Sequence, residues 1–186
     1  VKLVLLDRDG VVNEDRDDYV KSPEEWRPIP GSLEAIARLC EAGFEVVVVS
    51  NQSGLARGLF DRATLDAIHD EMRRAVESAG GRLAGVFVCP HAPDAGCGCR
   101  KPAVGLLRQV ESALGVAVAG APLVGDKAAD LELARNAGCL PVLVRTGKGR
   151  RTERTAALDG VAVFDDLRAF AGHWAGRSPS GGRGGE

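Results

Sequence analysis

Asp7-Arg8-Asp9-Gly10 follows directly on the apolar run Val1-Lys2-Leu3-Val4-Leu5-Leu6. Two carboxylates one residue apart, at the C-terminal end of a strand this apolar, sit where open α/β sheets bind their ligands. A buried strand has no structural use for two acids, so a cationic or phosphorylated partner is expected beside them. Asp-x-Asp-Gly alone is weak evidence, because solvated turns contain it too. Three further pieces give it weight. Ser50-Asn51-Gln52-Ser53-Gly54 follows the β-branched run Phe44 to Val49, Arg100-Lys101-Pro102 stands just before a helical pattern, and Gly125-Asp126-Lys127 follows Leu123-Val124, with Asp130 four residues on. Singly, Ser50 reads as a helix cap, Lys101 as a surface lysine and Asp126 as part of a turn. Together, in order, at four loop positions, they suit a phosphoryl group with a divalent cation: one carboxylate attacks phosphorus, a second handles protons, and the cation offsets charge.

Those residues meet only if strands and helices alternate, and the pattern says they do. Residues 2–6 predict a strand. Leu33, Ile36, Ala37 and Cys40 repeat at helical spacing, with Gly43 ending that helix. Phe44 to Val49 predicts a buried strand, and Leu65, Ile68, Met72 and Val76 mark a long helix opened by Asp61. Val86 to Val88 is a third strand, followed by a helix carrying Leu106, Leu107, Val110 and Leu114. Pro122 to Val124, a helix over 128–137, Leu140 to Val144, a short helix and Val161 to Val163 complete the series. The expectation is an α/β fold: a three-layer, Rossmann-like central parallel sheet with helices on both faces, its strand ends converging on one edge. Residues 1–175 form one domain on this reading. The Gly/Ser/Arg-rich stretch 176–186 is a disordered tail, and the polar excursion from Asn13 to Pro30 forms a rim of the site.

Composition sets the bounds. At 186 residues, with 45% hydrophobic content and a net charge of −2, the chain has enough material for a full core and no basic excess to suggest nucleic acid. No apolar run reaches membrane-spanning length, so a cytoplasmic location and no membrane partner are expected, and with little aromatic content a monomer is the default. Of five cysteines, Cys89, Cys97 and Cys99 fall together with His91, while Cys40 and Cys139 stand alone in apolar surroundings and read as buried thiols. Cys89-Pro90-His91 followed by Cys97-Gly98-Cys99 supplies four ligands in one short loop, which suits tetrahedral Zn²⁺ with every position filled. A closed site of this kind is structural. Binding of about 10–16 kcal/mol is ample to order a loop that has no core of its own, and the loop ends immediately before Arg100 and Lys101. His69 and His173 have no such company and read as ordinary helix residues.

With these motifs placed, the chain resembles the haloacid dehalogenase (HAD) superfamily of phosphatases over essentially residues 1–165. Asp7-Arg8-Asp9-Gly10 matches its first motif, Ser50 the second, Lys101 the third, and Gly125-Asp126 with Asp130 the fourth. The resemblance implies that Asp7 is a nucleophile forming an aspartyl-phosphate and Asp9 the general acid and base. It implies that Ser50 and Lys101 hold the transferring phosphoryl group, and that Mg²⁺ is bound by Asp7, the Asp9 backbone carbonyl and Asp126. Such an acid needs a raised pKa or a proton arriving with the substrate.

The zinc loop and the lack of a domain-sized insertion are similar to a branch with little or no cap. Two kinds of enzyme in it share such a loop, one acting on a heptose bisphosphate and one on histidinol phosphate. Asn13, Asp18-Tyr19-Val20, Asn51 to Gly58, Gly125-Asp126-Lys127 and Val144 to Gly149 resemble the heptose kind. That resemblance implies a small phosphorylated sugar as substrate, in nucleotide-activated heptose synthesis. It implies substrate contacts from Asp15, Asp18, Tyr19, Ser50, Asn51, Gln52, Ser53, Arg57, Arg100, Lys101 and Lys127, with Arg100 selecting at the second phosphate. The segment from Asn13 to Tyr19 is one residue longer than the pattern, and Ser50 stands where Thr is common. A histidinol-phosphate or other small phosphomonoesterase is the alternative. A catalytically dead zinc module is disfavoured because both early aspartates are present.

Overall fold

A computed structural model describes residues 2–177. Six parallel strands form one sheet: β1 (Lys2–Leu6), β2 (Phe44–Asn51), β3 (Gly85–Cys89), β4 (Pro122–Gly125), β5 (Leu140–Val144) and β6 (Ala162–Phe164). Their order is β3-β2-β1-β4-β5-β6. Among the described residues five helices connect them, α1 (Ser32–Glu41), α2 (Arg62–Ser78), α3 (Gly105–Leu114), α4 (Ala128–Asn136) and α5 (Gly149–Thr155), and a sixth, α6 (Leu167–Ala175), follows β6.

Strand alternation divides the buried residues between two cores. Val4 and Leu6 of β1 and Val46 and Val48 of β2 face Ile36 and Leu39 of α1, Met72 and Val76 of α2, and Leu167 and Phe170 of α6. Leu3, Leu5, Val47 and Val49 point the other way, onto Leu106, Leu107 and Val110 of α3 and Leu133 of α4. With both faces covered, a continuous apolar run is the pattern such strands require. Asp61 caps α2 as its position suggests, accepting a hydrogen bond from the Thr64 N–H at 2.8 Å.

The expected elements appear close to their expected bounds, and the structure adds one. A 3-10 turn, Pro23–Glu25, stiffens the excursion after β1. Helix α6 carries Leu167, Phe170, Ala171 and Trp174, giving bounds to the helix that the reading of His173 implied. Its N-cap is Asp166, accepting from the Ala169 N–H at 2.8 Å. His173 lies in this helix. Cys139 is buried as expected, but Cys40 is only half-buried: in the last turn of α1 it packs at the margin of the core while its sulfur meets the Arg82 backbone. Of the tail expected to be disordered, Gly176 and Arg177 follow α6, and residues 178–186 lie outside the described residues. Among the described residues no helix is long and apolar enough to cross a membrane.

The strand order reverses direction beside β1, whose two neighbours are β2 and β4. That switch point opens a crevice beyond the carboxyl ends of β1 and β4, and the four motifs meet there.

Candidate active site

Asp7 leaves β1 with its backbone N–H on Val124 of β4 at 2.9 Å, which places it beside the loop carrying Asp126. Its Oδ1 accepts from the Arg8 N–H at 2.8 Å and from Lys101 Nζ at 3.0 Å. Lys101 Nζ also donates to Asp130 Oδ1 at 2.8 Å, so one ammonium bridges two buried carboxylates. Lys127 Nζ stands 3.2 Å from Asp126 Oδ1 and 3.8 Å from Asp7 Oδ2. Burial alone would raise Asp7, but the Lys101 and Lys127 ammoniums outweigh it and hold the carboxyl below the usual range, ionised and able to attack. Lys101, although buried, is held charged by Asp130 and Asp7.

Asp9 is held differently. Its Oδ1 takes Nε and Nη2 of Arg8 at 3.2 and 2.9 Å and Asn13 Nδ2 at 3.0 Å, while Oδ2 takes Gln52 Nε2 at 2.9 Å. Burial raises its pKa; Arg8 and these hydrogen bonds outweigh that, and the net shift is downward. Of the two routes open to an acid at this position, a raised pKa is therefore not the one the resting protein uses.

Asp126 is fully enclosed. Lys148 N–H donates to its Oδ2 at 2.9 Å, and Thr152 Oγ1 to its backbone carbonyl at 2.7 Å. Gly10 at φ +85° and Gly147 at φ +55° press against the carboxylate, and a Cβ on either would strike it. Thr146 Oγ1 ties the two walls together through Gly10 O at 2.7 Å. The Val144–Gly149 segment, noted in the sequence only as a resemblance, thus clamps the β4 carboxylate.

Ligand oxygens of Asp7, Asp126 and Asp130 lie within 4.8 Å of one another. Burial and then the charge of Asp7 push the Asp126 carboxyl up to about 8. Three carboxylates against two ammoniums are short of positive charge, and an oxygen-only donor set of this kind fits a hard divalent cation. In the second cluster, Cys89, His91, Cys97 and Cys99 also converge within 4.8 Å. The Cys89 to Cys97 and Cys89 to Cys99 sulfur separations are 3.6 and 3.1 Å, and His91 Nδ1 is 3.5 and 3.2 Å from the sulfurs of Cys89 and Cys99. Tetrahedral bonds of about 2.3 Å to zinc place sulfurs about 3.8 Å apart, so modest adjustment makes this a four-coordinate site. Burial and the neighbouring thiols push the Cys99 thiol up to about 12, while at Cys97 burial is outweighed by backbone and thiol hydrogen bonds, which bring it down to about 6, so the thiols of the cluster share their protons unevenly. The loop is pinned to α3 by Gly105 N–H on Gly98 O at 2.9 Å.

Two threads carry the loop's position into the crevice. Gln52 N–H donates to Cys89 O at 2.8 Å, and Lys101 N–H to Asn51 Oδ1 at 3.0 Å. A cleft of about 330 Å³ opens over these residues, lined among others by Asp7, Asp9, Asp15, Tyr19, Asn51, Gln52, Ser53, Arg100, Lys101 and Lys127. Ser50 lies behind it, with Oγ accepting from Gln52 Nε2 at 2.8 Å. Tyr19, at φ +67°, brings its hydroxyl within 3.5 Å of Ser53 Oγ. Arg100 Nη1 is buried with no hydrogen-bond partner among the described residues, a donor suited to an anion. Besides Ser50, two more expected substrate contacts, Asp18 and Arg57, do not line the cleft. Asp18 is taken up by Arg16 and Lys21 at 3.0 and 2.9 Å on the outer surface, and Arg57 lies over the Tyr19 ring at 5.9 Å.

Relatives settle the family. The chain is 55% identical over 172 residues, covering 92% of this chain and 96% of the relative, to the D-glycero-β-D-manno-heptose-1,7-bisphosphate 7-phosphatase of Bordetella bronchiseptica. The chain belongs to the heptose bisphosphate phosphatase family of HAD-like hydrolases. The Pseudomonas aeruginosa enzyme of the same name is 53% identical, with 91% of this chain and 95% of that one covered. A crystal structure of the B. bronchiseptica D,D-heptose 1,7-bisphosphate phosphatase, complexed with magnesium and phosphate, aligns with TM-score 0.90 at 54% identity over 94% of this chain and 98% of that one. A HAD-hydrolase-like family model matches residues 98–170.

Sequence reasoning passed over three members of the site. Lys148 lines the cleft and stands 3.7 Å from Asp15; its place in a motif was visible, its direction was not. Arg8 and His69 form a buried pair behind Asp9, with Arg8 Nη1 3.1 Å from His69 Nε2. His69 is therefore no ordinary helix residue. Burial, then the charges of Arg8 and Arg73, hold its pKa down at about 3, with Asp9 opposing and Arg62 adding slightly. The neutral ring favours folding above the unfolded pKa of ~6.5, and that contribution is lost as pH falls below it. The expected cost at pH 5 is about 2 kcal/mol. Urea unfolding at pH 7 and pH 5 checks this: the wild-type loss between the two should exceed that of His69→Gln, and equal losses would rule out a buried neutral ring.

Proposed function

We propose that this chain is a Mg²⁺-dependent phosphatase that removes the 7-phosphate of D-glycero-D-manno-heptose 1,7-bisphosphate, giving heptose 1-phosphate through an aspartyl-phosphate on Asp7. The observation that carries this reading is the ionised, buried Asp7 held by Lys101 with Asp9 two residues away, in a chain of this family. Asp7, the Asp9 backbone carbonyl and Asp126 would hold Mg²⁺, which when bound offsets the negative charge between carboxylate and phosphate oxygens. The Cys89–His91–Cys97–Cys99 cluster would hold structural Zn²⁺.

In this mechanism Asp7 attacks phosphorus, the bond from phosphorus to the sugar's O7 breaks, and O7 takes a proton from Asp9. Asp9 is ionised at rest, so that proton enters with the substrate, whose phosphate has a second pKa of about 6. Anionic Asp9 then takes a proton from the water that attacks the aspartyl-phosphate, releasing inorganic phosphate and restoring Asp7. Ser50 and Lys101 hold the transferring group. Arg100, with its free buried N–H, takes the 1-phosphate, where a planar cation gives a two-pronged contact. Lys127, Tyr19, Asn51 and Ser53 shape the sugar's seat.

The test is kcat/KM with Mg²⁺ on both anomers of the heptose bisphosphate, beside histidinol phosphate and an aryl phosphate. A preference of about 100-fold or more for one bisphosphate anomer is expected, since a site built to bind a second phosphate leaves buried donors unpaired without it. Flat rates on all four would remove the heptose assignment and leave a general small phosphomonoesterase.

A further inference from the structure

Arg8 is among the largest fully buried side chains of the described residues. A guanidinium stripped of water is costly unless its donors are met, and here they are met by two groups only. Nε and Nη2 converge on Asp9 Oδ1 at 3.2 and 2.9 Å, and Nη1 points the other way, to His69 Nε2 at 3.1 Å. A guanidinium donates and cannot accept, so Nε2 is the acceptor and the His69 ring carries its proton on Nδ1. His69 comes from the middle of α2, whose flanking residues Ile68 and Met72 are buried in the core, so it is a rigid support.

This contact has a consequence for Asp9. Arg8 and Asn13 occupy Oδ1, leaving Oδ2 with only Gln52 among the described residues, in a carboxylate that lines the cleft. The guanidinium therefore decides which carboxylate oxygen meets the substrate, and the guanidinium's own plane is set by what holds Nη1. We infer that His69 is a positioning residue for the phosphatase reaction: through Arg8 it fixes the plane of the Asp9 carboxylate and so aims Oδ2 at the leaving oxygen. The inference rests on the proposed role of Asp9 as proton donor and acceptor. His69 itself is out of reach of substrate, being 6% exposed behind Arg8.

Two amides separate an acceptor role from a packing role. In His69→Gln the carbonyl oxygen falls near the place of Nε2 and can still accept from Arg8; in His69→Asn the side chain is one carbon shorter, and its oxygen falls near the place of Nδ1 instead. With the Mg²⁺-supplied enzyme and the heptose bisphosphate, His69→Asn and His69→Leu are expected to lose about 10- to 100-fold in kcat with KM nearly unchanged, the signature of an interaction that matters for the reaction step. His69→Gln is expected to stay within about threefold of wild type. The losses should shrink on an aryl phosphate with an acidic leaving group, which needs less help from a proton donor. Wild-type kcat in His69→Asn, equal losses in all three variants, or a loss confined to KM would each overturn the inference. Asp9→Asn, measured in parallel, keeps the two ideas apart. An active Asp9→Asn refutes the role of Asp9, whereas an inactive one beside unaffected His69 variants refutes the positioning role alone.

Discussion

Asp7→Asn is expected to abolish turnover, by about 10⁴-fold or more, while leaving the fold and the zinc content intact. The amide has no anionic oxygen with which to attack phosphorus, and no other carboxylate replaces it. Asp130 is committed to Lys101 and the Lys127 backbone, and Asp126 is enclosed by Gly10 and Gly147. The change is conservative for the structure. Asn keeps an oxygen for the Arg8 N–H and Lys101, and it removes one charge from a cluster that has more carboxylates than ammoniums. Neutralising Asp7 also removes a charge that raises Asp126, whose carboxyl should then titrate below its present value near 8. The assay is phosphate release alongside the thermal midpoint and metal analysis. Appreciable turnover with the midpoint preserved would sink the aspartyl-phosphate route.

If the Cys/His cluster holds zinc as proposed, Cys97→Ser and Cys99→Ser are expected to lose it and to lower the thermal midpoint by roughly 5–15 °C, on the scale of a few kcal/mol for a domain of this length. The loop from Cys89 to Cys99 has no apolar core of its own. It is held to the rest of the protein by Gly98 on Gly105 and by the Cys89 strand end. Loosening it frees the backbone that presents Arg100 and Lys101, whose N–H rests on Asn51 Oδ1. Weaker substrate binding is therefore expected as well, read as a raised KM. A chelator-stripped wild type should behave like the variants. Full stability and an unchanged KM without metal would show that the loop is held by its packing alone.

Much of this was legible in the chain itself, for identifiable reasons. Strands buried on both faces leave continuous apolar runs, and Val4 to Leu6 and Val46 to Val49 could be nothing else. In a parallel sheet every such run ends on the same edge, so Asp7, Ser50 and Asp126 could be brought together from order alone, and Lys101 followed from its place before a helix. The Cys/His cluster was legible as a candidate metal site because its residues are rare types packed into one short loop. Helix α6 was less so: reading His173 as a helix residue implied a helix there, but its bounds and its packing on α1 and Phe164 came only from the structure.

The chain by itself determined the layers, the four motif positions and the two candidate metal clusters, because these depend on residue type and periodicity. Which side chain faces which depended on contacts across long stretches of sequence. Only the tertiary structure turned Asp18 outward onto Arg16 and Lys21, closed the Thr146–Gly147 segment over Asp126, and set His69 of α2 against Arg8 of the first loop. Sixty-one residues separate that last pair, and no periodicity records the direction of a buried guanidinium. Its cost in a dry interior is settled by whichever acceptors the packed helices bring to it, and that is a property of the fold.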